Sequence, residues 1–183
     1  MVDQDAINIA LLYVLSHGAD ISFGRVPEDM RLRLNALTAA GDDSVPSITS
    51  AIVSCPALSG TLYWWKGARE LCEVLLSIRT TASMNALLEI LKTDSNVVEF
   101  DDIRGTAARC LGGFGDPAIV PELQAAMEAP NAPILSIRKT IETLGGETHV
   151  EQHGCLSCGH FNKATNRFCI KCGSSLGPPE VEA

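Results

Sequence analysis

Cys155, Cys158, Cys169 and Cys172 form two Cys-x-x-Cys pairs with ten residues between them. Each pair can offer two thiolates to one metal ion from a tight turn. The stretch 159–168 is long enough to bring the second pair back opposite the first. Four thiolates in a tetrahedron are the donor set of a closed structural zinc site. The spacing therefore predicts one Zn2+ held by these four cysteines. A tetrathiolate leaves no coordination position for water or substrate, so the expected role is a structural staple.

The other reactive residues do not group as a catalytic set does. The histidines are His17, His149, His153 and His160, and none has a nucleophile at suggestive spacing. No Ser-His-Asp grouping or phosphate loop is present. Asp42-Asp43 and Asp101-Asp102 fall where helices are expected to start, and carboxylates there complement the helix dipole. Cys55, Cys72 and Cys110 lie far apart in sequence. Seven cysteines without framework spacing argue against a disulfide fold, and these three read as small buried hydrophobes. The expectation is a protein that is not an enzyme.

The rest of the chain must position that cysteine cluster. Its 183 residues suffice for one moderate core and a small satellite module. No apolar run is long enough to span a bilayer, and the N-terminus lacks a basic-then-apolar signal pattern. A cytoplasmic protein with no membrane partner is the expectation. The net charge is −8, yet residues 153–179 carry Lys163, Arg167 and Lys171 and no carboxylate. An acidic body disfavours broad nucleic-acid binding. It leaves the C-terminal segment as the place for any RNA or DNA contact, through those three cations and a base stacked on Phe161.

Upstream, a helical pattern repeats. Ile103, Ala107, Cys110 and Leu111 fall on one face of a helix, and Gly112, Gly113 and Gly115 are expected to stop it. Asp116 is a good N-cap and Pro117 a good first helical residue. Ile119, Val120, Leu123, Ala126 and Met127 then supply the stripe of a second helix. The same pattern lies 36 residues earlier, where Leu71, Leu75, Ile78, Met84, Leu87, Ile90 and Leu91 stand for Ala107, Leu111, Phe114, Val120, Leu123, Ala126 and Met127, and Thr80 stands for Asp116. A more degenerate copy runs from about Asp29 to Ser54, and a half-unit, Ile134 to Leu144, ends at Gly145-Gly146. Before them Gln4 to His17 reads as one amphipathic helix with Ile7, Leu11, Leu12 and Leu15 inward. No such hairpin buries its stripe alone, so the pattern predicts an all-α solenoid of antiparallel helix pairs.

The residues Ile103-Arg104, Ala107, Ala108, Leu111-Gly112, Gly115-Asp116-Pro117, Val120-Pro121, Leu123 and Met127 resemble the short HEAT-like repeat of bacteria and archaea. The resemblance covers about residues 28–146. It implies a stack of helix pairs that binds other macromolecules, with Arg104 bonding neighbouring carbonyls or acids. Some members of that family are lyases that attach bilin pigments to phycobiliproteins, and the repeats alone do not carry that activity.

Residues 155–176 resemble the short zinc ribbon found at the ends of many prokaryotic proteins. Gly159 and Gly173 each follow a Cys-x-x-Cys pair, where glycine lets the knuckle turn through positive φ. Phe168 and Leu176 are expected to cover the metal site, and Asn162 to cap a turn. The spacing is also similar to a nuclear-pore type finger that in some proteins binds single-stranded RNA or ubiquitin, although His153 stands where that family has Trp.

These readings divide the chain into a HEAT-like α-solenoid at 1–147, a linker at 148–153, a zinc ribbon at 154–177 and a disordered tail at 178–183. Tyr63, Trp64 and Trp65 stand together near a helix start, and successive helical positions point about 100° apart, so at least one ring should be exposed. They are the candidate contact for a partner protein. The expected function is a scaffold or adaptor in a larger assembly. A nucleic-acid contact through Phe161, Lys163, Arg167 and Lys171, or a lyase-like subunit, are the alternatives.

Overall fold

The computed structural model describes residues 3–21, 25–54, 63–94, 97, 99–129, 132–146, 152–155, 157–158, 161–163 and 167–176. Cys55, His149, Gly159, His160, most of the expected linker and the expected tail lie outside them. Two compact units divide the chain, 1–146 and 147–183.

The first unit is helical: α1 (Gln4–Ser16), α2 (Glu28–Ala40), α3 (Val45–Ser54), α4 (Trp64–Ile78), α5 (Thr81–Lys92), α6 (Glu99–Phe114), α7 (Val120–Met127) and α8 (Ile134–Thr143). Alternate helices pack on one another. In one set α2 lies against α4, α4 against α6 and α6 against α8; in the other α1 lies against α3, α3 against α5 and α5 against α7. Helices α4 and α5, and α5 and α6, join the sets.

The 36-residue offset holds where the first helix of each central unit ends and the second begins. Helix α4 ends at Ile78 and α6 at Phe114, and the next residues, Arg79 and Gly115, are both left-handed, with φ of 57° and 70°. Thr80 and Asp116 then cap the helical turns that begin after them. The Thr80 hydroxyl accepts from the Ser83 N–H at 3.2 Å, and Asp116 Oδ1 accepts from the Ala118 N–H at 2.9 Å. Pro117–Ile119 is a 3-10 turn leading into α7, where its counterpart Thr81–Ser83 is already α-helical.

The core is the set of inward stripes. Leu71, Leu75, Leu87 and Ile90 are fully buried, as are Ile103, Ala107, Leu111 and Leu123. Removing four such leucines and isoleucines from water contributes on the order of 8 kcal/mol before ordering entropy is charged. Cys72 and Cys110 belong to this core.

Two expectations are corrected. Gly112 and Gly113 do not stop α6, which runs on to Phe114. They are places of close approach: a Cβ on Gly112 would sit 3.2 Å from Thr140 Cγ2, and one on Gly113 would sit 3.0 Å from both Leu76 methyls. Leu12 does not face inward but is 67 % exposed, with Ile9 beside it at 60 %. The core of α1 is instead Ile7, Ala10, Leu11, Val14 and Leu15.

Hydrogen bonds tie one repeat to the next. Arg79 Nη2 donates to the Gly113 carbonyl at 2.6 Å, Thr80 Oγ1 to Asp42 Oδ1 at 2.5 Å, and Thr140 Oγ1 to the Ala108 carbonyl at 2.9 Å. Arg104 is almost wholly buried, and it donates to Asp101 Oδ1 at 2.5 Å and to the Thr93 carbonyl at the end of α5. Such a charge is tolerated inside because it is paired and hydrogen-bonded.

Candidate metal centre

The second unit is built from two hairpin turns. Strand β1 (Gln152–Gly154) pairs antiparallel with β2 (Phe161–Lys163), in the register Gln152 with Lys163, His153 with Asn162 and Gly154 with Phe161. Gln152 and His153, expected in the linker, are thus strand residues. Cys155 leaves β1 directly and Cys158 lies in the connection to β2.

The second turn is closed by its own backbone. Phe168 and Ser175 form an antiparallel bridge. The Cys169 N–H donates to the Ser174 carbonyl at 2.8 Å, the Gly173 N–H to the Cys169 carbonyl at 2.8 Å, and the Leu176 N–H to the Arg167 carbonyl at 3.0 Å. Gly173 has φ of +73°, the left-handed turn expected of it after the second cysteine pair.

These turns face their cysteines toward each other. The four Sγ atoms all lie within 4.8 Å of one another. Cys155 Sγ is 3.6 Å from Cys172 Sγ, and Cys158 Sγ is 3.6 Å from Cys169 Sγ. Both short contacts cross from one turn to the other. A disulfide would require about 2.05 Å. Sulfurs at the corners of a tetrahedron with metal–sulfur bonds of about 2.3 Å stand about 3.8 Å apart. The donor set fits one metal ion bound by four thiolates. Cys155 and Cys169 are buried, while Cys158 and Cys172 are exposed. Ser174 Oγ lies 3.3 Å from Cys172 Sγ. Hydrogen bonds from the Ser174 hydroxyl and backbone N–H favour the thiolate and draw the Cys172 thiol below its ordinary range.

The remaining candidates are distributed as follows. Arg167 and Lys171 are exposed on the second turn. Phe161 and Lys163 are strand residues, and only their backbone is described. Phe168, expected to cover the metal, is 63 % exposed instead, and Ile170 is 75 % exposed. The sequence pattern offered no sign of this, since an aromatic beside a cysteine pair reads equally well as cover.

In the helical unit Trp64 is buried, at the place in its repeat that Phe100 fills 36 residues later, and Phe100 is buried too. Trp65 is half-buried and Tyr63 exposed. Lys66 Nζ sits 4.8 Å from the Tyr63 ring centre and 5.9 Å from that of Trp65, with Arg69 Cζ 5.8 Å from Trp65. Of these three rings, Tyr63 and Trp65 keep surface exposed.

Cys72 and Cys110 are poor nucleophiles. Burial, helped by the Glu73 charge, pushes the Cys110 thiol up to about 12, and burial pushes Cys72 up as well. Among the described helices, none is long and apolar enough to cross a membrane.

Residues 103–129 match the PBS lyase HEAT-like repeat. No curated protein and no solved structure matches the chain. The chain thus carries a HEAT-like helical repeat within a mostly helical unit and, in its second unit, a four-cysteine cluster that could hold a metal ion.

Proposed function

We propose that this chain is a non-enzymatic adaptor, an α-solenoid that holds a partner protein and carries one structural Zn2+ in a C-terminal ribbon. The observation that carries this reading is the donor set: four sulfurs within 4.8 Å, joined to a repeat scaffold. Zinc is the metal because it favours tetrahedral thiolates. Four thiolates close its coordination, so it stabilises a fold too small to hold itself together. Repeats that stack through their neighbours leave a long surface free for a partner. The protein works in the cytoplasm, where thiols stay reduced and free for metal.

Affinity capture from the native organism tests this, using the full chain and a ribbon-deleted form, with and without nuclease. The adaptor reading expects a stoichiometric protein partner that survives nuclease. Its absence from both forms would defeat the reading.

A second reading is supported by Arg167, Phe168 and Lys171, exposed on one turn in a segment without carboxylates. On it the ribbon engages nucleic acid, with Lys163 adding charge. Binding would then fall steeply with salt and be lost when the three cations become alanine. The lyase reading draws only on the name of a repeat that spans residues 103–129.

A further inference from the structure

The helix set α1, α3, α5 and α7 carries three open grooves. The first, about 460 Å3, lies between α1 and α3; the second, about 500 Å3, between α3 and α5; the third, about 460 Å3, between α5 and α7. They are not separate. Pro46, Ser50 and Ser54 line both the first and the second, and Asn85 and Glu89 line both the second and the third. One continuous face therefore crosses four helices.

Its chemistry changes from end to end. Among the described residues no charged one lines the α1/α3 groove, whose wall includes Leu11, Leu12 and Leu15. Leu12 stands 67 % exposed at its edge. The α5/α7 groove carries Glu89, Asp116 and Glu122 against a single cation, Lys92, which is already paired with Glu122. The middle is lined mainly by Ser, Thr, Asn and small apolar residues. An uncharged groove at one end, with buried Leu11 and Leu15 in its wall and Leu12 exposed at its edge, and a net negative end opposite are complementary to a ligand apolar at one end and basic at the other.

We infer that this face binds a linear segment of a partner protein, apolar at one end and rich in Lys or Arg at the other. The apolar end seats between α1 and α3, and the basic end meets Glu89, Asp116 and Glu122. Helices pack 8–10 Å apart, so the face from α1 to α7 spans roughly 30 Å. An extended segment of about nine residues covers it. This inference rests on the adaptor reading and specifies which surface and which partner chemistry serve it.

The test is selection of a phage-displayed random 12-residue peptide library on the full, zinc-loaded chain. Enriched peptides are then titrated against wild type, Glu89→Lys/Glu122→Lys and Leu12→Asn. Glu89, Glu122 and Leu12 are all exposed, so the variants keep the fold, which circular dichroism checks. The expected peptides carry Lys or Arg at one end and Leu, Ile or Phe at the other. They should bind the charge-reversed variant at least about tenfold more weakly, with most of their salt dependence lost. Leu12→Asn should weaken them several-fold without changing that salt dependence. Peptides that bind all three proteins alike, or no enrichment, would overturn the assignment of this face. Those outcomes leave the adaptor reading standing, because it falls only if native capture also finds no partner.

Discussion

Arg79 and Gly115 occupy the same left-handed backbone position 36 residues apart, one at the end of α4 and the other at the end of α6. Glycine adopts that conformation freely, whereas a side chain pays about 1–2 kcal/mol. Arginine is retained with a hydrogen bond from its guanidinium to the Gly113 carbonyl, which stitches one repeat to the next. Gly115→Ala should therefore destabilise the protein by about 1 kcal/mol through backbone strain alone, since a Cβ there meets nothing within 4 Å. Arg79→Gly should be close to neutral, because strain relief offsets a lost bond worth about 1 kcal/mol. Urea midpoints compare the two. A loss above about 2 kcal/mol for Arg79→Gly would mean the repeat junction depends on that bond far more than its exposure allows.

Gly67 marks a different kind of constraint. A Cβ on it would lie 2.3 Å from the Val14 carbonyl oxygen, so α1 and α4 touch backbone to backbone. Gly67→Ala should force them apart at a cost of about 3 kcal/mol, lowering Tm by roughly 6–12 °C. An unchanged Tm would show that α1 does not hold to α4 in solution.

The tryptophans should separate cleanly. Trp64→Ala opens a core cavity and should cost about 3–5 kcal/mol, as Phe100→Ala should at the equivalent place. Trp65→Ala, at a half-buried site flanked by Lys66 and Arg69, should cost about 1 kcal/mol. Equal losses for Trp64 and Trp65 would contradict the placement of the two rings.

Much of this architecture is legible in the residues. The 36-residue spacing of Leu75 with Leu111 and of Thr80 with Asp116 marks the helix ends and caps, because apolar stripes and capping chemistry are local signals. The cysteine spacing likewise announces a four-thiol cluster. What stays hidden depends on the approach of other segments. Gly112 and Gly113 look like helix breakers until Thr140 and Leu76 are seen pressed against them. Leu12 looks inward on a helical wheel, yet the stripe of α1 that meets its neighbours is one position away. The exposure of Phe168 is equally invisible, since burial in so small a module depends on having something to pack against.

The core thiols carry a pH signature. The Cys110 thiol is pushed up to about 12 in the folded protein, from 9.0, chiefly by burial. A raised pKa means that the folded state keeps its proton where the unfolded chain has lost it. Stability from this source is complete below about pH 9 and is lost as pH rises from there toward about 12. Cys72 shifts in the same direction. Urea midpoints of the wild type should fall over that range, and Cys110→Ala, although less stable at neutral pH, should show a shallower fall. Parallel profiles would contradict a buried thiol at this site.

The metal site should separate from the helical unit. Cys155→Ser should abolish tight zinc binding while leaving the helical circular dichroism of residues 1–146 unchanged, because that unit has its own core. Collapse of the helical signal would show that the helices depend on the metal module.

A structural zinc staple and a catalytic zinc differ in whether four sulfurs close the coordination sphere. X-ray absorption at the zinc edge of the purified full chain measures it directly. Four sulfur neighbours at about 2.3 Å with no nitrogen or oxygen shell is the predicted result. A shell of three sulfurs with one nitrogen or oxygen would reveal an open or substituted position, and would contradict both the staple and the non-enzymatic reading built on it.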